Sequence, residues 1–331
     1  MARHGRGFKR FAVIATAAAL VLTGCVPTAE PEPTPTVAQT PTATPTPTAA
    51  PPPTPEPWVD PLPDGAVTAL LLGTDSRTPG AFDGNADVMM LAQISADRQT
   101  LALVSITRDS WVNLPGRGFA KINAAFSYGG TELARQAVSG MFGGLEIDYV
   151  VQTDFTGFVN IADSLGGFTV QNQHASQMGT ETGNLAVYPA GPVTITNHDA
   201  LAYVRQRKEL PEGDLDRTQR ARESIIGMLD RVDQIAADPA QLTALMGAIA
   251  GNVRLTGELS VDDMVALATI SQGLERTDIV SLMAPLDGYA MQNGQWVNVI
   301  DAAQTAALGA ALQAGDVLPY VATYGTEYAL P

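Results

Sequence analysis

Val67-Thr68-Ala69-Leu70-Leu71-Leu72-Gly73 is followed without a break by Thr74-Asp75-Ser76-Arg77. An apolar run of this length, ended by glycine, reads as a strand. Its nearly continuous apolarity is that of a strand buried on both faces, as in a sheet covered by helices. Asp87 to Ile94 and Leu101 to Ile106 read the same way, and further strands are expected at Tyr149 to Thr153 and Asp278 to Met283. Helices are expected over Lys121 to Tyr128, Thr131 to Phe142, Phe155 to Leu165, Arg217 to Ile235, Pro239 to Val253, Val261 to Leu274 and Val299 to Leu312, with Asn197 capping one more through Arg207. Strands interleaved with helices predict an α/β architecture built in layers.

Upstream, the composition changes. Arg3, Arg6, Lys9 and Arg10 precede an apolar run from Phe11 to Leu22, twelve residues long, where a bilayer span needs about 20. This is the form of a secretory leader. It stops at Leu22-Thr23-Gly24-Cys25, which resembles a bacterial lipobox, and Cys25 is the only cysteine of the chain. Residues 1–25 are therefore expected to be a lipoprotein signal, with Cys25 acylated as the first mature residue on the extracytoplasmic face of the cell membrane. A lone cysteine also excludes an intrachain disulfide. From Val26 to Pro57 there are twelve prolines among 32 residues, with threonine and alanine between them. Proline fixes φ and removes a donor, so residues 26–62 are expected to be an extended stalk of about 3.1 Å per residue. The folded domain is expected over 63–331.

The chain has a net charge of −15, and loss of the leader's four basic residues makes the remainder more acidic. Such a surface repels nucleic acid. Against that background, two local concentrations of charge stand out. Asp75 with Arg77, Asp87, and Arg108 with Asp109 sit beside apolar strands, where α/β sheets place ligand sites. Asp75, Asp87 and Asp109 are hard oxygen donors suited to Mg²⁺; for any one of them, pairing within a turn to Arg77 or Arg108 is the plainer reading, but three such segments within 35 residues weaken it. Arg205, Arg207, Arg217, Arg220 and Arg222 crowd a second segment. Guanidinium forks bind phosphate oxygens two at a time. Arg205, Arg207 and Arg217 are the expected functional members, whereas Arg220 and Arg222 are expected to pair with acidic neighbours on an exposed helix. His4, His174 and His198 have no metal-ligand spacing, and neither a Gly-x-Ser-x-Gly elbow nor a Walker loop occurs.

From Leu70 to about Leu229 the chain resembles a LytR-CpsA-Psr domain. The resemblance rests on Leu71-Leu72-Gly73-Thr74-Asp75-Ser76-Arg77, Ala86-Asp87-Val88-Met89-Met90, Ser105-Ile106-Thr107-Arg108-Asp109, Lys121-Ile122-Asn123-Ala124-Ala125-Phe126, Gly129-Gly130, Asp154-Phe155, Asp163-Ser164-Leu165-Gly166-Gly167 and Ala200-Leu201-Ala202-Tyr203-Val204-Arg205-Gln206-Arg207, up to Asp214 and Arg217. It implies an α/β/α fold with a mixed central sheet covered by helices. It also implies a phosphotransferase, dependent on Mg²⁺ or on Mn²⁺ in its place, that moves a glycopolymer from a polyprenyl-pyrophosphate carrier onto a peptidoglycan acceptor. Asp75 and Asp87 would then hold the metal, and Arg77, Arg108, Lys121, Arg205, Arg207 and Arg217 the pyrophosphate, with Asp109 in support. The apolar tunnel that a prenyl chain needs has candidates in Phe126, Phe142, Phe155, Phe158 and Ile161, each of which also reads as plain core. Two departures stand out: Thr107 replaces the usual proline, and Ala221 stands where the family often has glutamine. A pyrophosphate hydrolase and a non-catalytic binder of polyprenyl phosphate or wall polymer remain open beside the transferase.

Cys25→Ala is expected to shed the protein from the membrane fraction or leave the uncleaved precursor. Intact-mass measurement of the native chain should show a lipid-modified Cys25 at the amino terminus; an unmodified mature terminus contradicts the anchor.

Overall fold

The apolar runs form strands, and the polar residues that end them fall at one edge of a sheet. The computed structural model describes residues 60–326, apart from 77, 79, 181, 182, 197, 258 and 259. The leader, Cys25, most of the proline-threonine segment, Arg77 and the expected cap Asn197 lie outside the described residues.

In chain order the first half comprises β1 (Val67–Thr74), β2 (Ala86–Ile94), β3 (Leu101–Ile106), β4 (Trp111–Leu114), β5 (Gly118–Lys121), α1 (Ala124–Met141), β6 (Tyr149–Asp154), α2 (Phe155–Ser164), β7 (Phe168–Asn172), β8 (Ser176–Gly179), β9 (Leu185–Tyr188) and β10 (Gly191–Ile195). There follow α3 (His198–Arg205), α4 (Asp214–Ile235), α5 (Pro239–Asn252), β11 (Val253–Thr256), α6 (Val261–Gly273), β12 (Ile279–Met283), β13 (Leu286–Gln292), β14 (Gln295–Ile300), α7 (Ala302–Gln313) and α8 (Leu318–Tyr324). One mixed sheet has the order β11-β6-β1-β2-β3-β12. β1, β2 and β3 form an antiparallel meander, with β6 parallel to β1 and β12 parallel to β3.

Strand alternation sends successive side chains to opposite faces, and here both faces are apolar. Leu70, Leu72, Met89, Leu91, Ala102, Val104 and Ile106 pack with α1, α7 and α8. Val67, Met90, Leu101 and Leu103 pack on the other side with Ala221 and Ile226 of α4 and Ala266 and Ile270 of α6. The result is the layered α/β architecture that the apolar runs predict, with the mixed sheet that the family resemblance implies. A third cluster joins α2, α3, α5 and the far end of α4 to β7, β9 and β10. Leu62 is buried, and Asp60 pairs with Arg98 at 2.8 Å, so the described chain is already packed before β1. No helix among the described residues is long and apolar enough to cross a membrane.

Several boundaries differ from expectation. Lys121 closes β5 rather than opening a helix, because the stretch pairs with β4, Trp111 opposite Lys121. The two helices expected around residue 130 are one, kinked at Gly129 and at Gly130, whose φ is +65°. α3 stops at Arg205, short of Arg207. Val299 and Ile300 continue a strand paired with β13, and Asp301 caps α7 by accepting the Gln304 amide.

α4 lies so close to β7 that a Cβ at Gly227 would stand 2.3 Å from the Thr169 carbonyl oxygen. That neighbour is backbone and yields only if the helix moves. Gly227→Ala is therefore expected to cost about 1–3 kcal/mol, lowering the melting temperature by several degrees. An unchanged melting temperature would show that the helix can slide at no cost.

Candidate functional site

β1, β3 and β6 all end, and β2 begins, at the same edge of the sheet. Loops beyond such ends are the ordinary place for ligands in layered α/β folds. Asp75 follows β1. Its amide donates to the Asn85 carbonyl at 3.1 Å, and its Oδ1 accepts the Asn85 amide at 2.6 Å. Asn85 is itself held by Ser127 of α1, whose Oγ lies 2.6 Å from its Oδ1. Gly84 has φ +87°, and a Cβ there would come within 2.3 Å of Asp75 Oδ1. Only glycine leaves room for the carboxylate.

Asp87 owes its position to a bulge. The register passes from Gly73 opposite Val88 to Thr74 opposite Ala86, so Asp87 is the extra residue. Ala86 takes the place in the α1-side core that strict alternation would have given to residue 87. The Asp87 carboxylate instead accepts Nη1 of Arg108 at 2.7 Å. Nε of Arg108 is buried, lies 3.9 Å from Asp214 Oδ1 and has no hydrogen-bond partner among the described residues.

Asp214 is the first residue of α4, where a negative charge also suits the helix dipole. Arg217, only 5% exposed, grips it with two donors, Nε to Oδ1 at 2.8 Å and Nη2 to Oδ2 at 3.2 Å. The third nitrogen of Arg217, Nη1, donates to the Asp87 carbonyl at 2.8 Å. Arg207 brings Nη1 to 3.9 Å from Asp214 Oδ1. One carboxylate thus faces three guanidiniums. Burial raises the Asp214 pKa, but the Arg217 hydrogen bond and the charges of Arg217, Arg108 and Arg207 outweigh it and hold the group below its ordinary value. Burial likewise lowers Arg108, while Asp87 and the nearby Asp214 and Asp109 raise it above its usual value.

The other expected residues are placed differently. Arg205 lies 4.7 Å over the ring of Phe155, the first residue of α2. Lys121 is paired with Asp109 at 2.8 Å. Arg220 and Arg222 are buried, not on an exposed helix face. Arg220 donates to Gln206, Asn172, Ser176 and the His174 carbonyl and stacks over Tyr203. Arg222 donates to Ser281 at 2.9 Å, and burial brings its pKa down to about 10. Ala221 points into the core between α4 and the sheet, away from the edge. Thr107 is buried and shares a 2.6 Å hydrogen bond with Ser110, tightening the loop that carries Arg108. Of the apolar candidates for a prenyl tunnel, Phe126 and Phe142 belong to the α1 core, whereas Phe155, Phe158 and Ile161 border the third cluster, Phe155 beneath Arg205.

Among the described residues no group of three or more His, Cys, Asp or Glu could hold a metal by itself. Asp75 and Asp87, on adjoining strand ends, suit a cation that takes one or two carboxylates and completes its octahedron with water and phosphate oxygens, which is the habit of Mg²⁺. The sequence reading missed Gly84 and Asn85, which fix Asp75. Asp214, named in the sequence only as closing the family motif with Arg217, was not among the expected site residues; the i,i+3 spacing to Arg217 is the signal that points to it.

A model of the LytR_cpsA_psr family matches residues 37–314. The polyisoprenyl-teichoic acid–peptidoglycan teichoic acid transferase TagT of Bacillus subtilis (strain 168) is 30% identical over 221 residues, 65% of this chain and 67% of the relative. TagU of Oceanobacillus iheyensis, of the same description, is 31% identical over 244 residues, 71% of each chain. The crystal structure of B. subtilis TagV shares the fold with a TM-score of 0.66 at 24% identity, covering 77% of this chain and 98% of that one. A structure of TagT bound to LIIa-WTA gives a TM-score of 0.60 at 25% identity, covering 76% and 91%.

Asp214→Asn keeps the shape and removes the charge, at an expected cost on the order of 2 kcal/mol. Because the native pKa is depressed, this contribution is fully present above the unfolded value near about 4 and is lost as pH falls through the lower native value. Denaturant titrations should show a constant gap between the two proteins near neutral pH, closing below about pH 4. A gap that persists at acid pH would mean that the charge of Asp214 is not what holds the arginines.

Proposed function

The chain belongs to the LytR_cpsA_psr family, and from that premise we propose that it is a transferase that moves a wall glycopolymer from a polyprenyl-pyrophosphate carrier onto peptidoglycan. The relatives TagT and TagU transfer teichoic acid to peptidoglycan by their descriptions, and this supports the reaction class. The observation that carries the reading is the surplus of guanidinium over carboxylate at Asp214, together with the buried, unpartnered Nε of Arg108. A buried donor without an acceptor is costly unless a ligand supplies one. An anion with several oxygens fits this need, and a pyrophosphate brings them.

Arg108, Arg207 and Arg217 would bind and orient the pyrophosphate, with Arg205 and Arg77 completing the set and Lys121 held in reserve by Asp109. The hydroxyl oxygen of a peptidoglycan sugar forms a bond to the sugar-side phosphorus, the bond from that phosphorus to the bridging oxygen breaks, and polyprenyl phosphate leaves. Asp75, with Oδ1 fixed by the Asn85 amide, uses its other oxygen to accept the proton of the attacking hydroxyl. Bound Mg²⁺, held by Asp75 and Asp87, would neutralise phosphate charge as it develops. Positioning and charge neutralisation are the main levers in phosphoryl transfer. The prenyl chain would lie against Phe155, Phe158 and Ile161. An acylated Cys25 and a proline-threonine stalk would place the domain on the outer face of the cell membrane, where donor and acceptor meet.

The test is incubation with a synthetic prenyl-pyrophosphate glycan, Mg²⁺ and peptidoglycan fragments, with product masses determined. A phosphodiester-linked glycan on peptidoglycan is expected; release of glycan phosphate alone would make the protein a hydrolase. Arg108→Lys keeps the charge and removes the buried Nε donor. Truncating one partner of a buried charged hydrogen bond costs about 2–5 kcal/mol, so turnover should fall well over tenfold with the fold intact. Near-normal turnover would remove Arg108 from the site. Asp75→Ala and Asp87→Ala should each abolish the response to added Mg²⁺.

A further inference from the structure

β13 and β14 form a hairpin outside the main sheet, and one of its faces is unusual. Trp296 is 67% exposed, and Tyr289 and Met291 are each 52% exposed. Met291 stands opposite Trp296 in the pairing, and Tyr289 lies two residues from Met291 on the same strand, so the three share a face. The other face turns inward at Val297, which is buried. Soluble surfaces scatter large apolar side chains singly; a contiguous row of them marks a contact.

The base of the hairpin is built into the candidate site. Asn298 donates its amide to the Asp109 carbonyl at 2.9 Å and bridges Ser110, both in the loop that carries Arg108. Leu286 packs with Leu215, the residue after Asp214, and Ile300 packs against the same cluster. Tyr289 lies within the field of Glu212 and Asp214: burial first, then these two carboxylates, raises its hydroxyl pKa. The exposed row therefore begins beside the arginine cluster and leads away from it.

We infer that this face is a glycan subsite on which sugar rings of the peptidoglycan acceptor stack, bringing the attacking hydroxyl to the pyrophosphate. This rests on the transferase reading above, since an acceptor must approach the arginine cluster from outside. The chemistry fits uncharged sugar. The C–H face of a pyranose is complementary to the negative face of an aromatic ring, and Tyr and Trp offer rigid area at little entropic cost. Gln292, Asn293 and Gln295, all exposed at the tip, supply amides for hydroxyl groups. An anionic bilayer fits badly. Segment 286–300 has Asp287 and no Lys or Arg, on a chain of net charge −15, whereas surface-lying membrane segments rely on basic residues.

The test uses the full chain with Tyr289→Ala, Trp296→Ala, the double variant and Trp296→Phe. Binding of unmodified peptidoglycan glycan oligomers is measured by calorimetry, and transfer is followed against acceptor and donor concentration separately. The single Trp296→Ala change is expected to weaken glycan binding and raise the acceptor KM by about tenfold, as for an interface anchor. The double variant should lose more, Trp296→Phe should recover most of the loss, and the donor KM and melting temperature should stay unchanged. An acceptor KM unaltered in the double variant overturns the inference even if transfer itself is confirmed. Trp296-dependent glycan binding without any transfer would sink the transferase reading and leave the glycan subsite standing. Loss of binding to phosphatidylglycerol vesicles with glycan affinity intact would assign the face to the membrane and overturn the inference.

Discussion

Three guanidiniums sit together around Asp214, and one of them, Arg108, is also tied to Asp87. Two like charges 4 Å apart near a protein surface repel by about 4 kcal/mol at an effective dielectric of about 20. An arginine cluster in an otherwise empty corner would spread apart. Asp214, helped by Asp87 at Arg108, holds it, and three guanidiniums still outnumber the two carboxylates. Arg217 extends the same restraint to the sheet, because its third nitrogen is bonded to the Asp87 carbonyl. The start of α4, the bulge of β2 and the loop after β3 are therefore one unit. In a domain this acidic, the excess of positive charge is confined to a small place, and an anion gains from it only on arrival there.

α4 supplies this unit and also supports it. Arg217 faces the strand ends, Arg220 reaches into the cluster of β7, β8 and α3, and Arg222 reaches Ser281 of β12. Arg220 holds Gln206 at 2.8 Å, which fixes the turn that carries Arg207. The clamp thus depends on a buried arginine that touches no part of it. Gly227, two turns along, lets the helix lie close enough to β7 for these reaches to be possible.

The central strands were legible because they are buried on both faces, and such strands announce themselves as apolar runs. The short ribbons were not. β7 alternates buried Phe168 and Val170 with exposed Thr169 and Gln171, a weak pattern over five residues. Asp75, Asp87 and Arg108 could be found because charge beside a buried strand is conspicuous. The burial of Arg220 and Arg222 could not, since their partners Asn172 and Ser281 lie 48 and 59 residues away in the chain. A charge read locally looks solvated. Ala221 departs from the family's usual glutamine, and the helix turns that position into the core.

The bulge at Asp87 also separates two kinds of selection. Along an ordinary strand each residue belongs to one face or the other, so changing a polar position by a step in register disturbs the packing of both layers. Here the strand takes a single phase shift between Ala86 and Val88, and the core on either side closes without counting residue 87. Its side chain can answer to the chemistry at the edge of the sheet while the volumes of both layers remain set by other residues. Position 87 is in this respect an inserted loop of one residue, carried on a rigid strand.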